Sequence, residues 1–184
     1  GGRFPWDFDR HTALAGHKKY GRMAFSVRLR ADIWENFGGC MAPVNAFLNY
    51  IGIEKYSSVL LRAVQKQEQE RLPNIRLIRM EAENIGDVFA EGEVDRIYLN
   101  FSDPWPKARH EHRRLTSEVF LKLYDQVLAP EGSIEFKTDN TDLFDYSLGS
   151  IGAFGWKIGY CTRDLHAQPE AEGNVMTEYE EKFS

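Results

Sequence analysis

Leu99-Asn100-Phe101-Ser102-Asp103-Pro104-Trp105-Pro106-Lys107 brings a β-rich segment, Val94 to Phe101, to an abrupt stop. Prolines cannot donate to a strand ladder, and they bias the residue before them away from the right-handed helical region. Pro104 acts in this way on Asp103, and Pro106 on Trp105. The chain is therefore expected to leave the strand as a stiff, extended lip bearing one carboxylate. A basic run follows at once, in which Lys107, Arg109, Arg113 and Arg114 stand against only Glu111, with His110 and His112 interleaved. In open α/β sheets ligands bind just beyond the carboxyl ends of the strands, so the lip marks the place for chemistry.

Working outward, the same grammar recurs. Tyr50-Ile51-Gly52-Ile53 is an apolar run closing on Glu54, the pattern of a buried parallel strand. Ser57 or Ser58 is placed to cap a helix whose apolar positions Leu60, Ala63 and Val64 recur at helical spacing, and Pro73 ends it. Ile75 to Met80 reads as the next strand, closing on Glu81, with a brief helix near Ile85 to Phe89. Beyond the lip, Thr116 is expected to cap a helix with Val119, Phe120, Leu123 and Val127 on its core face, stopped by Pro130 and Gly132. Ser133 to Lys137 is a strand closing on Thr138-Asp139-Asn140. A helix through Leu143, Phe144 and Leu148 then leads to Gly155 and a strand from Trp156 to Thr162. Near the N-terminus, Met23 to Arg30 alternates apolar and basic residues, as a half-buried strand does. Strands alternating with helices predict one doubly wound α/β domain over residues 1–184, its sheet mostly parallel. Residues 1–48 form an atypical N-terminal segment of it.

Composition sets the outer limits. The chain has 184 residues, 42% of them apolar and 28% charged, with a formal net charge of −5. That size suits one domain with a real core. No run approaches the roughly 18 apolar residues of a membrane span, and no apolar signal core opens the chain. Cys40 and Cys161 stand alone without C-x-x-C spacing, which suits a reduced, cytoplasmic setting. Net negative charge argues against a generally basic nucleic-acid binder but leaves room for a local patch.

Four predicted strands end on acids, Glu54, Glu81, Asp103 and Asp139, and in a parallel sheet those ends share one edge. An acid after a strand is commonly a turn former or helix cap. Four in register point instead to a crevice suited to a cationic ligand that carries a ribose, whose diol one acid would accept. No G-x-x-x-x-G-K-[ST] is present to cradle a triphosphate. S-adenosylmethionine fits both the charge and the ribose. The basic run beside the acids reads either as a solvated face or, favoured by its position, as a phosphate-binding surface for a nucleic acid. Trp105 is a candidate to stack on a base and equally a buried lid residue. His110-Glu111-His112 lacks a third ligand at useful spacing, so no metal is expected.

With these pieces assembled, the chain resembles the tRNA (guanine-N7)-methyltransferase family. The resemblance covers residues 49–184 and rests on Tyr50 to Glu54, the block Ile97 to Thr116, Phe136 to Asn140, and Gly173 to Phe183. It implies a Rossmann-like class I methyltransferase that uses S-adenosylmethionine to methylate a variable-loop guanine of tRNA. Carried over by motif, Glu54 would hold the cofactor ribose, Glu81 would lie near the adenine, and Asp103 would sit at the transfer centre as both catalytic and cofactor-binding residue. Glu81 stands where the family usually has Asp. Lys107, Asp139, Thr177, Glu178, Tyr179 and Glu180 would contact the substrate guanosine, with Arg109, Arg113 and Arg114 on tRNA phosphates.

The chemistry can be argued from the guanine itself. Its N7 has a free in-plane lone pair, so no proton must be removed before attack and catalysis is mainly positioning. Positive charge develops on the ring, where a fixed carboxylate such as Asp103 stabilises it. The family's glycine-rich cofactor loop is not found just upstream of Tyr50, and the resemblance calls for a further strand beyond Ser184. The sheet is thus expected to be incomplete at both ends. Two other readings stay open: a non-catalytic tRNA-binding remnant of the family, and a methyltransferase of the same fold acting on another substrate.

Overall fold

The computed structural model describes residues 25–29, 49–70 and 75–167. The expected contacts Thr177, Glu178, Tyr179 and Glu180 lie outside them. Within them the chain builds β1 (Phe25–Leu29), β2 (Asn49–Glu54), α1 (Ser57–Glu70), β3 (Ile75–Arg79), β4 (Val94–Asn100), α2 (Glu118–Val127), β5 (Leu128–Lys137) and α3 (Thr141–Phe154). Two 3-10 turns, Ala82–Asp87 and Ala108–Arg113, complete the set.

The strands form one five-stranded sheet in the order β3-β2-β1-β4-β5. The outer pairs, β2 with β3 and β4 with β5, are parallel, each joined through a helix as a parallel crossover requires. The sheet is mostly parallel, as expected, with the central strand as the exception: β1 runs antiparallel to both β2 and β4. The reason is legible in its composition. Phe25, Val27 and Leu29 alternate with Ser26 and Arg28, and such alternation belongs to antiparallel strands, whereas the near-continuous apolar run of β2 belongs to parallel ones. β2 and β4 therefore point the same way although they do not touch. All four parallel strands end on one edge, where the acids were expected.

One face of the sheet carries the core. Ile51 and Ile53 of β2 and Ile97 and Leu99 of β4 pack with Ile85, Phe89, Phe120, Leu121, Tyr124 and Val127, so α2 and the first 3-10 turn cover this face. On the opposite face Tyr50 and Tyr98 are buried with ring centroids 6.2 Å apart. Arg96 and Glu135 pair at 2.7 Å across β4 and β5 and hold their register.

Several local expectations shift. Ser117, not Thr116, is the N-cap residue of α2. Thr116 is buried and shares a 2.7 Å hydrogen bond with Ser147 of α3, whose hydroxyl donates to the Leu143 carbonyl. β5 starts directly after α2 and bulges, so that Val94 pairs with Leu128 but Arg96 with Ser133. Gly132 is required there, because a Cβ would stand 2.8 Å from the Ala129 carbonyl oxygen. Residues 156–162, read as a strand, join no ladder among the described residues. Gly155 instead closes α3 in the left-handed conformation (φ 91°), and the Trp156 ring meets Phe154 edge-on at 5.3 Å. Among the described residues no helix is long and apolar enough to cross a membrane.

Candidate active site

The site begins where β2 and β4 end. Phe25 of β1 pairs with both Ile53 and Leu99, so these two residues stand level across the central strand. Two interstrand spacings, about 10 Å, separate their backbones. Glu54, the last residue of β2, is only 8% exposed. Its Oε1 accepts the Tyr56 N–H at 2.9 Å, a local turn that fixes the carboxylate. Burial pushes its carboxyl above the usual glutamate range and the Asp103 charge adds to that, against lowering by the Tyr56 and Lys55 backbone N–H groups and the Lys55 charge. A carboxylate has about four acceptor sites, so capacity for a diol remains.

Glu81 lies two residues beyond β3, and its exposed carboxylate meets Lys55 Nζ at 3.8 Å. Partial burial draws the Lys55 ammonium down, but Glu81, Tyr56 and Asp103 outweigh it and hold it above its ordinary value. Lys55 is thus the charge around which Glu54, Glu81 and Asp103 gather. Sequence reading passed over it, since a lysine after a strand carries no signal of its own. Asp139 is exposed at the end of β5, between Thr138 and Asn140. Its neighbours are structural: the Thr138 hydroxyl accepts the Asn140 N–H, and Asn140 Oδ1 caps α3 by accepting the Leu143 N–H at 2.8 Å. Asp139 therefore shares the edge through the neighbouring strand, while the other three acids share one charge cluster.

The lip is not simply extended. Phe101 donates to the Lys137 carbonyl at 2.8 Å as the last rung of the ladder, then turns left-handed at φ 49°. Trp105 is left-handed as well, at φ 43°. The proline rule is met in part: Trp105 leaves the right-handed region, but for the opposite helical region and not for the extended one. A bulky residue at positive φ is a genuine outlier, and each such residue costs about 1–3 kcal/mol unless its surroundings impose it. Asp103, exposed, sits between the two strained residues.

The basic run divides into different roles. Lys107 and Arg109 are exposed, and Arg109 Nε donates to His110 Nε2 at 3.2 Å. The Arg113 guanidinium lies 5.0 Å from the Trp105 ring centroid, Lys55 Nζ 5.9 Å from it, and the His110 ring 5.7 Å. Trp105 is half-buried among these neighbours. Arg114, expected on phosphate, turns inward: Nε donates to the Pro104 carbonyl and Nη2 to the Trp105 carbonyl, both at 3.1 Å. Its guanidinium also stacks 4.2 Å from the Tyr146 ring centroid. Among the described residues no three His, Cys, Asp or Glu side chains gather to hold a metal ion.

A cluster of acids at the strand ends thus abuts an exposed basic turn through one tryptophan. That arrangement can hold a cation and a diol on one side and a polyanion on the other. A family model described as "Putative methyltransferase" matches residues 37–184. A protein of Lachnoclostridium phytofermentans named tRNA (guanine-N(7)-)-methyltransferase is 58% identical over 144 residues, which are 78% of this chain and 67% of that protein. Proteins of the same name from Bacillus licheniformis and Geobacillus sp. (strain WCH70) are each 57% identical over 78% of this chain, covering 67% and 65% of their own lengths.

Proposed function

The chain belongs to the tRNA (guanine-N(7)-)-methyltransferase family, and from that membership we propose that it transfers a methyl group to N7 of a variable-loop guanine of tRNA, with S-adenosylmethionine as donor. The observation that carries the reading is the placement of Glu54, buried and fixed by Tyr56, level with the strand that presents exposed Asp103. The residues fit the donor: a buried acid with acceptor capacity for a ribose diol, and a cluster of acids at the strand ends for a sulfonium. When bound, S-adenosylmethionine supplies the methyl group and the positive charge that leaves with it. Glu54 binds, Glu81 borders the same crevice through Lys55, and Asp103 faces the charge that develops on the guanine ring. Lys107 and Asp139, with Thr177 to Glu180, are proposed to orient the guanosine; the carboxylates of Asp139 and Glu178 would accept from guanine N1 and its exocyclic amine. Work on tRNA in the cytoplasm follows from that substrate.

The direct test is methyl transfer to unmodified tRNA, with the product nucleoside identified. The expected product is 7-methylguanosine, and transfer to any other position would refute the assignment. Arg109 and Arg113 are proposed to meet tRNA phosphates: both side chains are exposed, and the Arg113 guanidinium over the Trp105 indole keeps its N–H edge for an anion. Arg113→Ala should raise KM for tRNA and reduce the salt dependence of binding by about one counterion. An unchanged salt slope would remove Arg113 from the interface.

One observation favours a second reading. The family's glycine-rich cofactor loop is not found just upstream of Tyr50. On this reading the chain binds tRNA without catalysis. S-adenosylmethionine titration separates the two, because a heat signal or thermal shift supports the enzyme and its absence supports the remnant.

A further inference from the structure

We infer that Arg114 is the positioning residue that holds the Asp103 lip in its strained turn, and that it is not a phosphate contact. The sequence places it in a basic run, where a charge beside a nucleic-acid surface is read as a phosphate ligand. Three contacts assign it otherwise. Its planar fork donates to two successive backbone carbonyls, those of Pro104 and Trp105, each at 3.1 Å. Its face rests on Tyr146 of α3 at 4.2 Å. Its side chain is half-buried where those of Lys107, Arg109 and Arg113 are exposed.

The two carbonyls belong to the segment that needs an external hold. Trp105 has φ 43° ahead of a proline, and Phe101 has φ 49°. Strained backbone of this kind persists only where the surroundings over-determine it. Pro104 and Pro106 lack N–H donors, so the peptide units between Asp103 and Lys107 have fewer ways to be held from within. A guanidinium spanning both carbonyls supplies two donors in one rigid plane, and an ammonium cannot reproduce that fork. The anchor is itself fixed. Tyr146 belongs to α3, a helix whose N-terminus is capped by Asn140 Oδ1. The backbone that follows Asp103 is thereby tied to α3 through Arg114 and Tyr146.

The consequence for methyl transfer rests on the function proposed above; the clamp itself does not. Misplacing a reacting geometry by about 1 Å costs about 100-fold in rate. Arg114→Lys and Arg114→Gln, assayed in the full chain, are therefore expected to lower kcat by about 100-fold while leaving KM for tRNA and the salt slope close to wild type. The Trp105 indole N–H resonance, identified by its loss in Trp105→Phe, should move in both variants. Arg114→Lys with wild-type kcat, or a raised KM and reduced salt slope at unchanged kcat, would overturn the inference. In the unsubstituted protein, the Arg114 Nε–H should exchange with solvent more slowly than that of Arg109 and stay in place as tRNA is added. An Arg114 Nε–H signal that shifts with tRNA overturns the clamp even if neither variant folds. If the wild-type chain transfers no methyl group, the proposed function fails, and the resonance measurements still decide the role of Arg114.

Discussion

Asp103→Ala is expected to lower kcat for guanine methylation by about 100- to 1,000-fold, the usual cost of removing one preorganised electrostatic group from a reaction centre. The reasoning is local. N7 attacks with a lone pair it already has, so the enzyme has no proton to remove, and the main chemical demand is to accommodate positive charge arriving on the ring. Asp103 is the exposed acid on the strained lip, and its charge acts on both Glu54 and Lys55. Because it is exposed, its loss should change stability by no more than about 0.5 kcal/mol. Matched melting curves together with a collapsed kcat would establish the role, and substantial activity in the folded variant would sink it. Asp103→Asn refines the test: it keeps the shape and removes the charge, so it should be nearly as impaired as Ala.

Glu54→Gln has effects of opposite sign on binding and on stability. A carboxylate accepts both hydroxyls of a diol, while an amide accepts one and must present an N–H to the other. Hydrogen bonds to a charged group are worth about 1.5–3 kcal/mol, so affinity for S-adenosylmethionine should fall about 10- to 100-fold. The unliganded protein should become more stable at neutral pH. Burial raises the Glu54 pKa in the folded state, so the ionised form carries a folding cost that is fully present above the raised value. That cost fades as pH falls toward the ordinary glutamate range, where folded and unfolded chains both bind the proton. The melting temperatures of the two proteins should therefore converge as pH drops through that window. In the same window, wild-type affinity for the cofactor should decline. The Gln side chain can still accept from the Tyr56 N–H, which keeps the turn intact. A variant less stable than wild type at neutral pH would show that Glu54 is held by partners stronger than its desolvation.

Much of this was legible in the residues. The strands from Tyr50 to Glu54, Ile75 to Arg79 and Val94 to Asn100 appear within a residue or two of their expected ends, because apolar runs bounded by acids and turn residues are strong local signals. The clustering of Glu54, Glu81 and Asp103 followed from register alone. What escaped was decided by contacts between segments far apart in the chain. The alternation of Phe25 to Leu29 marked a strand, but its antiparallel sense depends on two partners 20 and more residues away. Thr116 looked like a cap and is instead a buried link to Ser147, because tertiary packing outbid a local hydrogen bond. Arg114 differs from Arg113 by nothing visible in sequence; only the carbonyls of the lip distinguish them. Lys55 gains its importance from Glu81, which belongs to another strand.

The central strand has a consequence for cooperativity. β3 and β2 form one ladder and β4 and β5 another, and among the described residues only the five residues of β1 stitch the two ladders together. A local opening that released β1 would leave each half's internal pairing intact, yet it would uncouple Glu54 from Asp103, because these acids lie on opposite sides of the seam. Local and sub-global openings span free energies from near zero, at frayed ends and loops, up to that of full unfolding, at core strands. The spacing of the acids thus depends on β1 staying paired, which amide protection along Phe25 to Leu29 would report, and the seam joining the two ladders sets how long the crevice holds its width.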